Sequence, residues 1–87
     1  MKIGPLLRVT WNDSFVDGPN RSWNDDEDLT EFLAGREFRV ETVGWKVGED
    51  DDHLTLASSV AREAGPQVAS LTKIPKGCIV RRQRIGP

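Results

Sequence analysis

Hydrophobic residues in this chain recur in two rhythms, and the changes of rhythm mark its elements. Over residues 6–11, Leu7, Val9 and Trp11 share one parity, with Arg8 and Thr10 between them, the pattern of a half-buried strand. Asn12-Asp13-Ser14 and Asp17-Gly18-Pro19-Asn20 are turn chemistry, so residues 14–23 read as an irregular loop. Phe15 and Trp23 are the apolar groups that would tie this loop down. The period then becomes helical: over residues 25–34, Leu29, Phe32 and Leu33 fall on one face. Asn24 or Asp25 caps the start, acids fill the first turn where the helix dipole favours them, and Gly35 stands where helices end.

Residues 37–47 read as a long strand whose phase slips: Phe38 and Val40 have one parity, Val43, Trp45 and Val47 the other. A bulge or bend near Thr42, eased by Gly44, is expected to bring both sets to one buried face. Residues 48–52 are a polar hairpin tip, and 53–57 the return strand with Leu54 and Leu56 inward. Residues 58–66 have no strong period and contain Gly65-Pro66, a loop. A strand over 68–72 then meets Ile74-Pro75-Lys76-Gly77, followed by a strand over 78–85. Pro75 lacks an amide hydrogen and fixes φ, so the chain turns a corner there. The predicted fold is mainly β: a small, strongly bent antiparallel barrel of five strands, with one short helix inserted after the first. It occupies residues 1–87 as a single domain, with 1–5 expected to be loose.

Composition narrows the chemistry. The 87 residues carry a net charge of −2, but the signs are segregated. Acids gather at Asp25-Asp26-Glu27-Asp28 and Glu49-Asp50-Asp51-Asp52, bases at Lys73, Lys76, Arg81, Arg82 and Arg84. Such a chain can meet an anion locally, but strong duplex nucleic-acid binding is not expected. The single cysteine, Cys78, excludes an internal disulfide and points to a reducing compartment. Neither a signal peptide nor an apolar run near the roughly 20 residues of a membrane helix stands out, so no membrane partner is expected.

The segments Val9-Thr10-Trp11-Asn12-Asp13, Val40-Glu41-Thr42-Val43-Gly44-Trp45-Lys46-Val47-Gly48-Glu49-Asp50, Leu54-Thr55-Leu56-Ala57-Ser58 and Ile74-Pro75-Lys76-Gly77-Cys78-Ile79 stand together in one short chain. The combination resembles a group of small proteins encoded by bacteriophages and prophages, themselves similar to Sm-like or Src-homology-3-like barrels. The resemblance runs from Leu6 to Ile85 and is most specific at Val43-Gly44-Trp45 and Ile74-Pro75-Lys76. It implies a barrel and a phage context, so the host-cell cytoplasm is the expected location. It implies no activity, cofactor or catalytic residue, and residues 14–23 do not take part in it.

Catalytic patterns are lacking. His53 and Cys78 lie on different strands without a supporting motif, and Ser58-Ser59 lacks the glycines of a nucleophile elbow. The carboxylates sit in adjacent runs that point into water rather than into one pocket. Residues 49–53 lack the spacing and central glycine of a calcium loop, so neither metal nor cofactor is expected. What remains is binding. The basic cluster Lys73, Lys76, Arg81, Arg82 and Arg84, with Trp23 as a stacking face, suits a small anionic or nucleotide-like ligand. Trp11 and Trp45 are assigned to the core. A small phage protein of this kind would counter host defence by sequestering such a ligand. The alternative is an interaction protein, a nucleic-acid mimic that presents Asp25, Asp26, Asp28, Asp50 and Asp51 to a basic host protein. A further alternative is an accessory virion component. The last strand is apolar on both faces, with Cys78 and Val80 on one and Ile79 and Ile85 on the other, which suggests a homo-oligomer.

Overall fold

The computed structural model describes residues 1–13, 23–34 and 38–86. Residues 14–22, Gly35 and Glu37, to which the sequence assigns a loop, a helix stop and a strand start, lie outside that set. The elements are β1 (Leu6–Asp13), α1 (Asp26–Ala34), β2 (Phe38–Glu49), β3 (His53–Ala61), β4 (Gln67–Pro75), a 3-10 turn (Lys76–Cys78) and β5 (Ile79–Arg84). The strands form one antiparallel sheet in the order β4-β3-β2-β1-β5. A mainly β chain of five strands and one short helix is what the sequence predicts. The fully closed barrel is not seen, since no ladder joins the outer strands β4 and β5 among the described residues.

Topology nevertheless forces this sheet to curl. Strands β4 and β5 are four inter-strand steps apart, roughly 19 Å across a flat sheet. Only the turn Lys76–Cys78 links them. From Pro75 to Ile79 the chain can reach about 14 Å at full extension, and less through a 3-10 turn. The corner expected at Pro75 therefore exists as this turn, and it holds the two edges of the sheet near one another.

The core is small. Leu7, Val9, Leu54, Leu56 and Ile74 are buried together, with Trp11 and Ile79 packed against them, and Ala57 is buried as well. Thr42 lies opposite Val9, and its Oγ1 accepts the Trp11 indole N–H at 3.0 Å, which satisfies the ring's polar edge. Gly44 is required by close approach: a Cβ there would lie 2.8 Å from the Ala57 carbonyl oxygen.

Three sequence readings need correction. First, β1 and β2 keep one register from Leu6–Trp45 to Asp13–Phe38, so no bulge falls near Thr42. The shift lies between Lys46 and Gly48 and leaves Val47 as the extra residue. Val43 and Trp45 thus stay on the face away from Leu7 and Val9, and Val43 is 47 % exposed. Second, β3 does not stop at Ala57. It continues through Ala61, paired with β4 as far as Gln67, because small residues at Ser58 and Ser59 satisfy a ladder without showing a hydrophobic period. The turn that follows uses positive φ at Ala64 (57°) and Gly65 (97°). Third, Cys78 does not open the last strand but closes the 3-10 turn, half-buried, and β5 starts at Ile79.

The helix behaves as its caps predict. Asp25 Oδ1 accepts from the Asp28 N–H at 2.9 Å, and Asp28 Oδ2 accepts from the Asp25 N–H at 3.2 Å, a reciprocal N-terminal box. Yet α1 buries no residue.

Candidate functional site

Two clusters of cations form where the curl brings strand ends together. The first is built by the two bulges. Val80 is an extra residue on β5, where Trp11 pairs with Ile79 but Thr10 pairs with Arg81. Directly opposed residues share a face. The bulge therefore lets Ile79 join the core and still sets Arg82 opposite Val9 and Arg84 opposite Leu7, on that same face. Arg81 and Gln83 point the other way, where Arg8 donates to Gln83 Oε1 at 2.9 Å. On β2 the extra Val47 has the matching effect. Lys46 opposes Leu56 and Glu49 opposes Leu54, so both lie on the core side although they are three residues apart.

Glu49 is the hub. Its Oε2 accepts from Arg82 Nη2 at 2.9 Å and its Oε1 from Nη1 at 3.2 Å, a bidentate pair. Lys76 Nζ lies 3.0 Å from Oε2, and Lys46 Nζ lies 3.2 Å from Oε1. On a straight strand Glu49 would stand roughly 23 Å beyond Thr42, the β2 residue level with Arg82, too far for two side chains to bridge. The ion pair thus records how far β2 bends over the core. Hydrogen bonds from Arg82, then Lys76, then Lys46 hold the Glu49 carboxyl far below its usual range, and the carboxylate in turn raises Arg82. The side chain keeps only 23 % of its exposure.

The neighbouring hairpin tip is organised by Asp50. Its Oδ1 accepts from the Asp52 and His53 N–H groups at 2.8 and 2.7 Å, which lowers its carboxyl pKa. The Lys76 N–H and Nζ donate to the Asp52 and Asp50 carbonyl oxygens at 2.8 and 3.1 Å, tying the tip to the corner. Among the described residues no group of three or more His, Cys, Asp or Glu is placed to hold a metal ion.

The second cluster lies at the other end of β5. Gly4 N–H donates to the Lys46 carbonyl at 2.7 Å and Lys46 N–H to the Pro5 carbonyl at 2.9 Å, so the segment before β1 runs along β2. A Cβ at Gly4 would lie 2.9 Å from that Lys46 oxygen. With Ile85 bonded to Leu6 at 3.0 Å, these residues wall an open cavity of about 490 Å³. Trp45, Arg62 and Arg84 line it with Leu6 and Ile85, and no carboxylate does. Among the described residues neither guanidinium has an ion-pair partner.

The residues proposed from sequence are thus divided. Lys76 and Arg82 meet on Glu49, and Arg84 lines the cavity. Arg81 faces outward from β5, Lys73 lies opposite Thr55 on β4, and Trp23 is 89 % exposed ahead of α1. Of the acids, Asp25 and Asp28 form the helix cap and Asp50 organises the tip, while Asp26 and Asp51 are exposed. Trp45, assigned to the core from sequence, is instead half-buried at the cavity. Arg62 gave no signal, because it sits in a segment read as loop.

No protein family, curated protein or solved structure matches the chain. No helix among the described residues is long and apolar enough to cross a membrane.

Proposed function

We propose that this chain is a non-enzymatic binding module: a strongly bent, barrel-like sheet that holds a small anionic ligand between Arg62 and Arg84. One observation carries the reading. The cavity beside Trp45 gathers two arginines without a counter-charge, whereas Arg82 is neutralised by Glu49. A pocket in the usual size range for small ligands, with unpaired guanidinium groups at its wall, supports anion binding. In the phage setting the sequence resembles, holding such a ligand out of solution would counter a host defence signal. Self-association belongs to the same reading, since among the described residues β4 and β5 are the outer strands of the sheet, the place where a second copy could add.

Calorimetric titration with pyrophosphate at low ionic strength tests it. Binding is expected to weaken several-fold in Arg62→Ala and in Arg84→Ala, and to fall with added salt. A flat titration, or an unchanged affinity in the double variant, sinks the reading. Light scattering across a concentration series tests self-association, and a monomer throughout removes that part.

A second reading has its own support. The apolar side of α1 is uncovered, with Leu29 and Leu33 50 % and 74 % exposed beside the acids of the first turn. That suits an interaction helix for a basic partner protein. Because Asp28 caps the helix, the discriminating changes are Leu33→Ala and Asp26→Lys. These leave the Asp25–Asp28 cap in place and would abolish partner capture, while Arg84→Ala would leave it intact.

A further inference from the structure

Resting on the anion-binding reading above, we propose that the cavity takes a phosphate joined to a flat aromatic body, the chemistry of a nucleoside monophosphate, and that Trp45 is the stacking surface. A site for a bare anion has no use for an apolar wall. Here Ile3, Pro5, Leu6 and Ile85 join Trp45 in lining a space of about 490 Å³, far more than a phosphate fills. The register explains why the tryptophan is available. Trp45 lies between Leu6 on β1 and Ala57 on β3, in the row facing away from Leu7 and Gly44, so the core does not claim it. Leu6 is apolar and Ala57 small, so the indole is supported at its sides yet stays half-buried. Arg62, from the turn after β3, and Arg84, at the end of β5, come from different elements and line the same cavity as this ring. Guanidinium groups bind phosphate through paired N–H donors, and an indole face accepts any base by stacking. The ligand that uses both features carries both groups.

The test titrates the intact chain by calorimetry with four probes: adenosine monophosphate, adenosine, ribose 5-phosphate and pyrophosphate. Adenosine monophosphate is expected to bind roughly tenfold tighter than ribose 5-phosphate, the usual scale for one stacked base. Adenosine alone binds more weakly than its phosphate. Trp45→Leu removes the tenfold advantage and leaves ribose 5-phosphate unchanged, while Trp45→Phe keeps most of it. Equal affinities for adenosine monophosphate and ribose 5-phosphate overturn this inference and leave the anion site standing. Failure of all four probes, or adenosine binding as tightly as its phosphate, overturns both. The wild-type comparison alone decides, so a Trp45 variant that fails to fold does not obscure the outcome.

Discussion

Arg82 and Arg84 are two residues apart on β5, point to the same face and oppose two core residues, Val9 and Leu7. Their surroundings could hardly differ more. Arg82 is gripped by both oxygens of Glu49, and Arg84 borders an open cavity without a carboxylate. The difference comes from other strands: the Val47 bulge aims Glu49 at one arginine, while the segment at Gly4 and Pro5 walls off a space beside the other. A basic run in the sequence is therefore not one site. One carboxylate turns two of its five residues, Lys76 and Arg82, into scaffold and leaves the remainder to meet solvent or ligand.

The largest loss is expected where the strands beneath both arginines are pressed closest together. Gly44→Ala would put a methyl 2.8 Å from the Ala57 carbonyl and 3.1 Å from Leu56 Cβ. Backbone cannot yield there as a flexible side chain would, so a loss of about 1–3 kcal/mol is expected in urea unfolding. Wild-type stability in this variant would mean that β2 and β3 are not so closely apposed.

Next in size is Glu49→Gln, which strips the counter-charge from Arg82, Lys76 and Lys46 together. Its thermal midpoint at neutral pH is expected to drop by several degrees, measured by circular dichroism. The pH dependence sharpens the assignment. Glu49 is depressed in the folded state from its ordinary value of 4.5. Its contribution is therefore complete above that value and fades as pH falls toward the folded value. Asp50, lowered from 3.8 by the Asp52 and His53 amides, acts in the same direction. Wild-type stability should decline below about pH 5. Glu49→Gln should flatten that decline but leave the Asp50 part. An identical acid limb in the two proteins would remove Glu49 from its hub position. Arg82→Lys comes third: a single ammonium replaces the bidentate fork, so its midpoint should lie between wild type and Glu49→Gln.

Much of this fold can be read from residues. Leu7, Val9 and Trp11 announce β1, Asp25 and Asp28 announce the helix start, and Pro75 announces the corner. The bulges cannot be read so easily. A one-residue slip reverses every side chain beyond it, and nothing in Val47 or Val80 marks either as the extra residue. That is why the last strand looks apolar on both faces, why the pattern in β2 points to a phase slip near Thr42, and why it points to Trp45 as core. The candidate site suffers most. Its tryptophan depends on β2 register, and Arg62 depends on β3 running five residues past Leu56. Neither is a local property of the sequence.

The smallest expected change tests the contrast most directly. Arg84→Ala removes a guanidinium that has no ion-pair partner among the described residues, so little intramolecular energy is lost. Stability should stay within about 0.5 kcal/mol of wild type, the range of substitutions away from structural contacts. Arg82→Lys, only two residues earlier, should by then have lowered the midpoint while sparing the affinity for anions. Paired measurements of unfolding midpoint and pyrophosphate affinity on these two variants should therefore move in opposite columns. If Arg84→Ala destabilises as much as Arg82→Lys, both arginines are scaffold and the cavity loses its claim to be a site.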